Sequence, residues 1–457
     1  MKLKVYTYAL PLVAVLGLAS CSVDPLDLQP LSDIGGNGFY ANSDEVESGV
    51  IAIYDGLQQL PLREFALTEM RSDNTRTKSS EGDWAQFQDY NVAPTNVVIG
   101  SYWADNYNVI FRANVVLANL DVVEDANAAA QFEGEAKFAR ALAHFNLVRA
   151  YGDVPMVDRV IIQSDTDYFD RDPVATVMSL IEADLTDAAS MLPDASDMAF
   201  GRATQGAAQA LLAKVHLTNS NYSAAQSLLE TVINSGNYAL EDDYSDVFYS
   251  EGNDEIIFAI PYLDDDAVES QDFSFEMTAG GQASGLNYLT DDFKAFMDVE
   301  DIERAAALVN PLDANETGKF ISASSDVRLC GNDWIVLRLA DVYLMHAEAV
   351  LAGANTTTDA GAITSYNATR ERAGVTALAT DGSETLTKTM LMNERRVELA
   401  FENHRLYDLI RMGVATDVLG AFATAEGHAF TATDLLLPIP QAEINVSGGA
   451  LTQNPGY

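Results

Sequence analysis

GAAQALLAKVHLTNSNYSAAQSLLETVINS, residues Gly206–Ser235, reads as two helices folded back on each other. Gly206–Thr218 is dense in Ala and Leu, the residues that enter a helix at least cost. Asn219-Ser220-Asn221-Tyr222 then supplies polar turn formers. Ser223–Ser235 resumes with Ala225, Leu228, Leu229, Val232 and Ile233, the three-and-four spacing of one buried helix face. Small residues fall where the two helices approach, so the pair predicts a tightly packed hairpin and a mainly α chain.

The hairpin resembles one tetratricopeptide-type repeat. Upstream, Asp44–Leu60 carries Val46, Val50, Ile53 and Leu57 as a buried stripe, and Tyr102–Leu120 carries Tyr107, Ile110 and Leu117. Glu133–Tyr151 carries Phe138, Leu142, Phe145 and Val148 before Gly152 and Pro155 break it. Pro173 opens the next helix at its first position and Pro193 closes it. Downstream, Trp334–Leu351 and Thr358–Arg372 predict a second hairpin, and Met390–Asn403 a further helix continued by Leu406–Arg411. The hairpins are irregularly spaced. This predicts a tetratricopeptide-like helical scaffold with long irregular loops and a few short strands, not a regular solenoid. The loop insertions fall near 71–100, 244–290 and 310–333. The second holds a strand-like run, Glu255–Ile260, an acidic turn, Asp264–Asp266, and the Gly- and Ser-rich Gly280–Gly285.

The first 20 residues have the makeup of a signal peptide. Lys2 and Lys4 precede an apolar run over Leu10–Leu18 that is too short to span a bilayer. Leu18-Ala19-Ser20-Cys21 places small residues against a cysteine, the pattern of a lipoprotein signal cut before an acylated Cys21. Each buried methylene adds about 0.8 kcal/mol, so several acyl chains anchor a protein durably. Residues 21–40, with Pro25, Pro30 and Gly35-Gly36, read as a tether, and 41–457 as the folded body. No later segment offers 18 consecutive apolar residues. With Cys21 acylated, Cys330 is left alone and a disulfide or cysteine-metal scaffold is excluded.

Formal charge is −42. Cleavage after residue 20 removes Lys2 and Lys4 and no acid, giving −44. Such a body is repelled by nucleic acid and favours neutral ligands over polyanions. The five histidines (His144, His216, His346, His404 and His428) form no ligand cluster. No nucleophile elbow, P-loop or dinucleotide fingerprint occurs, so no cofactor or metal is expected. What remains is aromatic residues in polar loops. A sugar ring packs its C–H face on an aromatic ring and gives its hydroxyls to planar polar groups. Trp84, beside Arg71, Asp73 and Asn74, offers both, and Tyr288 follows the Gly/Ser stretch. Trp103 and Trp334 open helices and read as core or near-core residues.

Four further stretches carry a family resemblance. Asn393–Arg405 (NERRVELAFENHR) with Tyr407–Arg411 (YDLIR) resembles the signature helix of the SusD/RagB family. Leu437–Ile444 (LPIPQAEI) and the ending Leu451–Tyr457 (LTQNPGY) are similar to that family's C-terminus. Leu337–Leu344 (LRLADVYL) with Ala347-Glu348-Ala349 resembles its preceding helix, and Trp103, Tyr107, Ile110 and Arg112-Ala113-Asn114 an N-terminal one. The resemblance covers essentially the whole chain. It implies a non-enzymatic outer-membrane lipoprotein at the cell surface, acting as lid on a SusC-like TonB-dependent transporter. Its ligands would be oligosaccharides or, in some members, peptides. A helical glycosidase using paired carboxylates is the remaining alternative. Arg395, Arg396, Glu398, Glu402 and Arg405 read as scaffold, pairing at i,i+3 and i,i+4. The family motif fixes no ligand residue. Arg71, Asp73, Asn74, Trp84 and Tyr288 rest on residue chemistry and loop position.

Overall fold

A computed structural model describes residues 39–78, 82–162, 164–278, 286–297 and 301–457. The expected signal peptide, Cys21, nearly all of the tether and the Gly280–Gly285 stretch lie outside the described residues. The chain begins with α1 (Ser43–Leu57), α2 (Pro61–Leu67), β1 (Thr75–Arg76) and α3 (Ala85–Gln88). Three long helices follow: α4 (Val97–Leu117), α5 (Ala126–Tyr151) and α6 (Val174–Met191). The quoted hairpin is α7 (Gln205–Thr218) and α8 (Tyr222–Asn234). Next come α9 (Asp246–Tyr249), β2 (Ile256–Ile260), α10 (Phe273–Thr278), β3 (Tyr288–Leu289), α11 (Asp291–Phe296) and α12 (Ile302–Leu308). The C-terminal part holds β4 (Trp334–Arg338), α13 (Leu339–Leu351), β5 (Thr356–Thr357), α14 (Ala360–Arg372) and β6 (Leu386–Thr387). It ends with α15 (Lys388–Glu398), α16 (Arg405–Arg411), α17 (Ala415–Glu426) and α18 (Gln441–Val446).

Helix starts follow their capping chemistry. Asn42, Asp125 and Thr204 each accept a backbone N–H in the first turn of α1, α5 and α7, satisfying donors with no partner inside the helix. Gly152, at φ 76°, ends α5, a conformation costly for other residues. The scaffold is a stack: α1 on α4, α4 on α5, α5 on α6, α6 on α7, α7 on α8, α8 on α13, α13 on α14. The stack passes directly from α8 to α13, so the described elements between Asn234 and Leu339 lie outside this succession of helices. That insertion, with the described residues of 71–96, forms the irregular part of the molecule. The core runs through both parts, from Val46 to Leu451.

The strands are short antiparallel pairs, β1 with β3, β2 with β4 and β5 with β6. Trp334–Leu351 is therefore not one helix. Trp334-Ile335-Val336-Leu337, aromatic and β-branched, pairs as β4 with β2, and the helix starts only at Leu339. The helix expected over Met390–Asn403 stops at Glu398, because Phe401 and Asn403 take positive φ and turn the chain into α16.

The charges of the signature helix are interior but do not pair along it. Glu398 receives Arg304, Arg338 and Arg372; Glu402 receives Arg338 and Lys319. Arg395 binds Asp341 and Asp408, and Arg405 binds Asp73. The partners come from other elements because these side chains point into the body, away from helical neighbours.

Candidate functional site

Arg71, Asp73 and Asn74 do not face solvent. All three are buried, at 2 %, 4 % and 0 % exposure. Arg71 donates to the carbonyls of Leu67 (3.1 Å) and Asp434 (2.5 Å). The Asp73 carboxylate takes a bidentate fork from Arg405, both bonds 2.8 Å. Burial raises its carboxyl, but the Arg405 bonds and charge, with Arg396, more than reverse this and hold it below the usual carboxylate range. Asn74 Oδ1 accepts from Arg396 at 3.0 Å. The expectation that these three bind ligand is corrected: Arg405 and Arg396 hold Asp73 and Asn74 as scaffold, and backbone carbonyls hold Arg71.

Trp84 is placed differently. It is half-buried, its ring stacked on Phe65 of α2 with centroids 5.5 Å apart and planes 4° apart. The Arg63 guanidinium lies 6.0 Å from the Trp84 centroid and 3.8 Å from Asp272. Arg63 also acts on two perturbed carboxyls. Burial pushes Asp105 up to about 6 against the pull of Arg63. Burial and then the neighbouring Asp272 push Glu276 up to about 7. Arg328 lies 3.5 Å from Glu276 and 4.0 Å above the Phe275 ring. Two arginine–aromatic pairs thus flank the Asp272–Glu276 edge of α10.

The same edge leads to Tyr288. Leu286 donates its N–H to the Glu276 carbonyl at 3.3 Å, seating Asn287 and Tyr288 beside α10. β3 then pairs with β1, Arg76 opposite Tyr288 and Thr75 opposite Leu289, so the first and second insertions meet in this clamp. Tyr288 is not an open platform: it is 4 % exposed, with the exposed Lys78 ammonium 5.8 Å from its ring centroid. Asn287, at 0 % exposure, makes no hydrogen bond through either Oδ1 or Nδ2 among the described residues. An unpaired buried amide is costly and rare in folded proteins. It is also the planar donor–acceptor that sugar hydroxyls use.

The candidate site therefore centres on Trp84 and Arg63 and follows Asp272–Glu276, with Asn287 and Tyr288 buried at its end. Of the residues expected from sequence, Trp84 lies in this track and Tyr288 is buried beside it. Sequence reasoning missed Arg63, which lies on a helix and meets Asp272 only in three dimensions. It also missed Asn287, whose signal was its place beside Tyr288 after a Gly/Ser stretch.

Two family models match this chain. One, described as the SusD family, covers residues 316–457, and one described as starch-binding associating with outer membrane covers 26–217. The chain belongs to the SusD/RagB family. A SusD-like protein P2 of Formosa agariphila is 26% identical over 98% of both chains. A SusD-like protein of Bacteroides ovatus is 24% identical over 86% of this chain and 80% of its own. Among solved structures, a laminarin-binding SusD-like protein aligns at TM-score 0.75 and 27% identity over 92% of this chain and all of the other. Surface glycan-binding protein A from Bacteroides thetaiotaomicron, in complex with laminarihexaose, aligns at 0.76 and 22% over 90% and 99%. The mainly helical scaffold described above is the fold these SusD-like structures share.

Proposed function

We propose that this chain is a non-enzymatic cell-surface lipoprotein that captures neutral oligosaccharides at the Trp84–Arg63 site. Anchored through Cys21, it serves as lid on a SusC-like TonB-dependent transporter in the outer membrane. The observation that carries the binding reading is the supported, half-buried Trp84 indole with the accessible Arg63 guanidinium beside it. The indole supplies the flat apolar face and the guanidinium the planar hydrogen-bond donors that a sugar ring needs. The laminarin-binding relative of the same fold supports a glycan ligand, and the second family description supports the outer-membrane setting. The lid role and the acyl anchor rest on the family resemblance and on the Cys21 motif.

Calorimetry against soluble polysaccharides, including laminarin, mannan and inulin, tests this. One of them should bind, and Trp84→Ala should weaken it about tenfold or more, 1.4 kcal/mol per decade. Unchanged affinity in that variant would remove Trp84 from the site. The same mixtures should release no reducing sugar; steady release would establish an enzyme instead. In cells, Cys21→Ser should abolish surface retention while the purified variant still binds glycan.

A further inference from the structure

Gln58, five positions before Arg63 in the chain, lines a second recess. Its Nε2 donates to the Pro261 carbonyl and to Glu269 Oε2, both at 3.0 Å, and Glu269 lies three positions before Asp272. Gln58 and Glu269 border a cavity of 260 Å³ whose far wall is the ridge Phe200-Gly201-Arg202. Across that ridge opens a second cavity, of 410 Å³. Phe200 lines both and is 40% exposed, a large ring at the surface between two hollows.

The ridge is held rigidly. Arg202 donates to both oxygens of Glu135 at 2.8 Å, and Ala203 N–H donates to Tyr54 Oη at 2.9 Å. Gly201 has φ 82°, and a Cβ there would lie 2.8 Å from the Pro261 ring, so only glycine lets the ridge sit this close. Gly252 leaves the Phe200 ring edge without a side chain against it, its own Cβ position 3.6 Å away. Beyond the ring, the exposed Asp254 carboxylate and the Oδ1 of Asn237, whose Nδ2 is held by Asp194 at 3.0 Å, line the larger cavity as acceptors. A preorganised ring with acceptors beside it matches the chemistry of a sugar residue.

We propose that the glycan track continues from Trp84 past Gln58 and Glu269 to Phe200, a distal aromatic subsite, and that the ligand is a linear oligosaccharide long enough to touch both rings. The inference rests on the reading of Trp84 as a glycan platform. The test is calorimetry of wild type, Trp84→Ala, Phe200→Ala and Phe200→Tyr with laminari-oligosaccharides of two, four, six and eight residues. Manno- and inulin-type series run in parallel, with melting temperatures as the folding control. For the series that binds, wild-type affinity should rise with length. Phe200→Ala should remove the rise, weakening the longest probe about tenfold and leaving the shortest unchanged. Phe200→Tyr, which keeps the ring, should retain it. If Phe200→Ala binds the longest probe like wild type, or weakens all lengths alike, while Trp84→Ala loses binding, the distal subsite is overturned and the proposed function stands. If no series binds, or Trp84→Ala has no effect, the proposed function falls and the subsite with it.

Discussion

Replacing Arg338 by Met tests whether the signature-helix charges hold the insertion between Asn234 and Leu339 to the scaffold. Arg338 is 1% exposed at the end of β4 and makes five hydrogen bonds. They reach the carboxylates of Glu255, Glu398 and Glu402 and the Glu398 carbonyl, at 2.6 to 2.8 Å. Met fills similar volume without charge. Each carboxylate keeps another cation: Arg372 for Glu255, Arg304 and Arg372 for Glu398, Lys319 for Glu402. The loss therefore falls in the range for breaking one buried pair, about 3–5 kcal/mol. A body of about 420 residues unfolds with an entropy of about 0.9 kcal/mol/K, so the melting temperature should drop by about 3–6 °C. The pH dependence sharpens the test. Burial raises the Glu402 carboxyl, and Arg338 and Lys319 more than reverse this, leaving it below the usual range. That stabilisation is present above the ordinary carboxylate value and is lost as pH falls through the depressed one. Without Arg338 the carboxyl moves upward and takes a proton more readily in mild acid. The variant should thus recover relative to wild type between pH 8 and pH 5 in scanning calorimetry. A drop below about 1 °C, or a gap that does not change with pH, would refute the reasoning.

Asn287→Ala should leave the melting temperature unchanged or raise it by about 1–2 °C, because it removes a buried amide that has no hydrogen-bond partner among the described residues. Thermal unfolding checks this, and a drop of about 3 °C or more would contradict it. Asp73→Ala should lower the melting temperature by about 3–6 °C, since it strands the buried Arg405 guanidinium; a change under 1 °C would return Asp73 to the list of surface groups. Glu276 has a raised carboxyl, about 7, so its contribution to stability is full below the ordinary value near 4.5 and is lost as pH rises through about 7. Wild type should therefore lose melting temperature relative to Glu276→Gln between pH 5 and pH 8, and parallel profiles would contradict the assigned shift.

The helical scaffold was legible because its signals are local. The hairpin Gly206–Ser235 carries its own periodicity and turn, and it folds as α7 and α8 almost residue for residue. Trp334–Leu351 misled for the opposite reason. Its register as a strand is set by Glu255–Ile260, far away in the chain, and the apolar run alone fits a buried helix as well. The site failed in the same way. Arg71, Asp73 and Asn74 look like loop polar groups until Arg405, Arg396 and the Asp434 carbonyl arrive from the C-terminal part of the chain. Trp84 keeps a surface-facing place, stacked on Phe65 only nineteen positions before it.

Arg396 shows what the misread charges accomplish. Its guanidinium donates to Asn74 Oδ1 at 3.0 Å, to the Asp73 carbonyl at 2.9 Å and to Asp292 at 2.7 Å. Asp73 and Asn74 lead into β1, while Asp292 follows β3, so one side chain grips both strands of the clamp. Thr290 closes the same joint, its hydroxyl donating to the Asp73 carbonyl and its N–H to the Asn74 carbonyl, both at 2.9 Å. Tyr288 sits on the strand that this joint fixes, with Asn287 directly before it. A flexible loop would have to be ordered on binding, at a cost taken from affinity, whereas a clamp set during folding removes that cost beforehand. In the proposed reading, the signature helix fixes the joint between the two insertions through Arg396 and so sets how rigidly they stand beside Trp84.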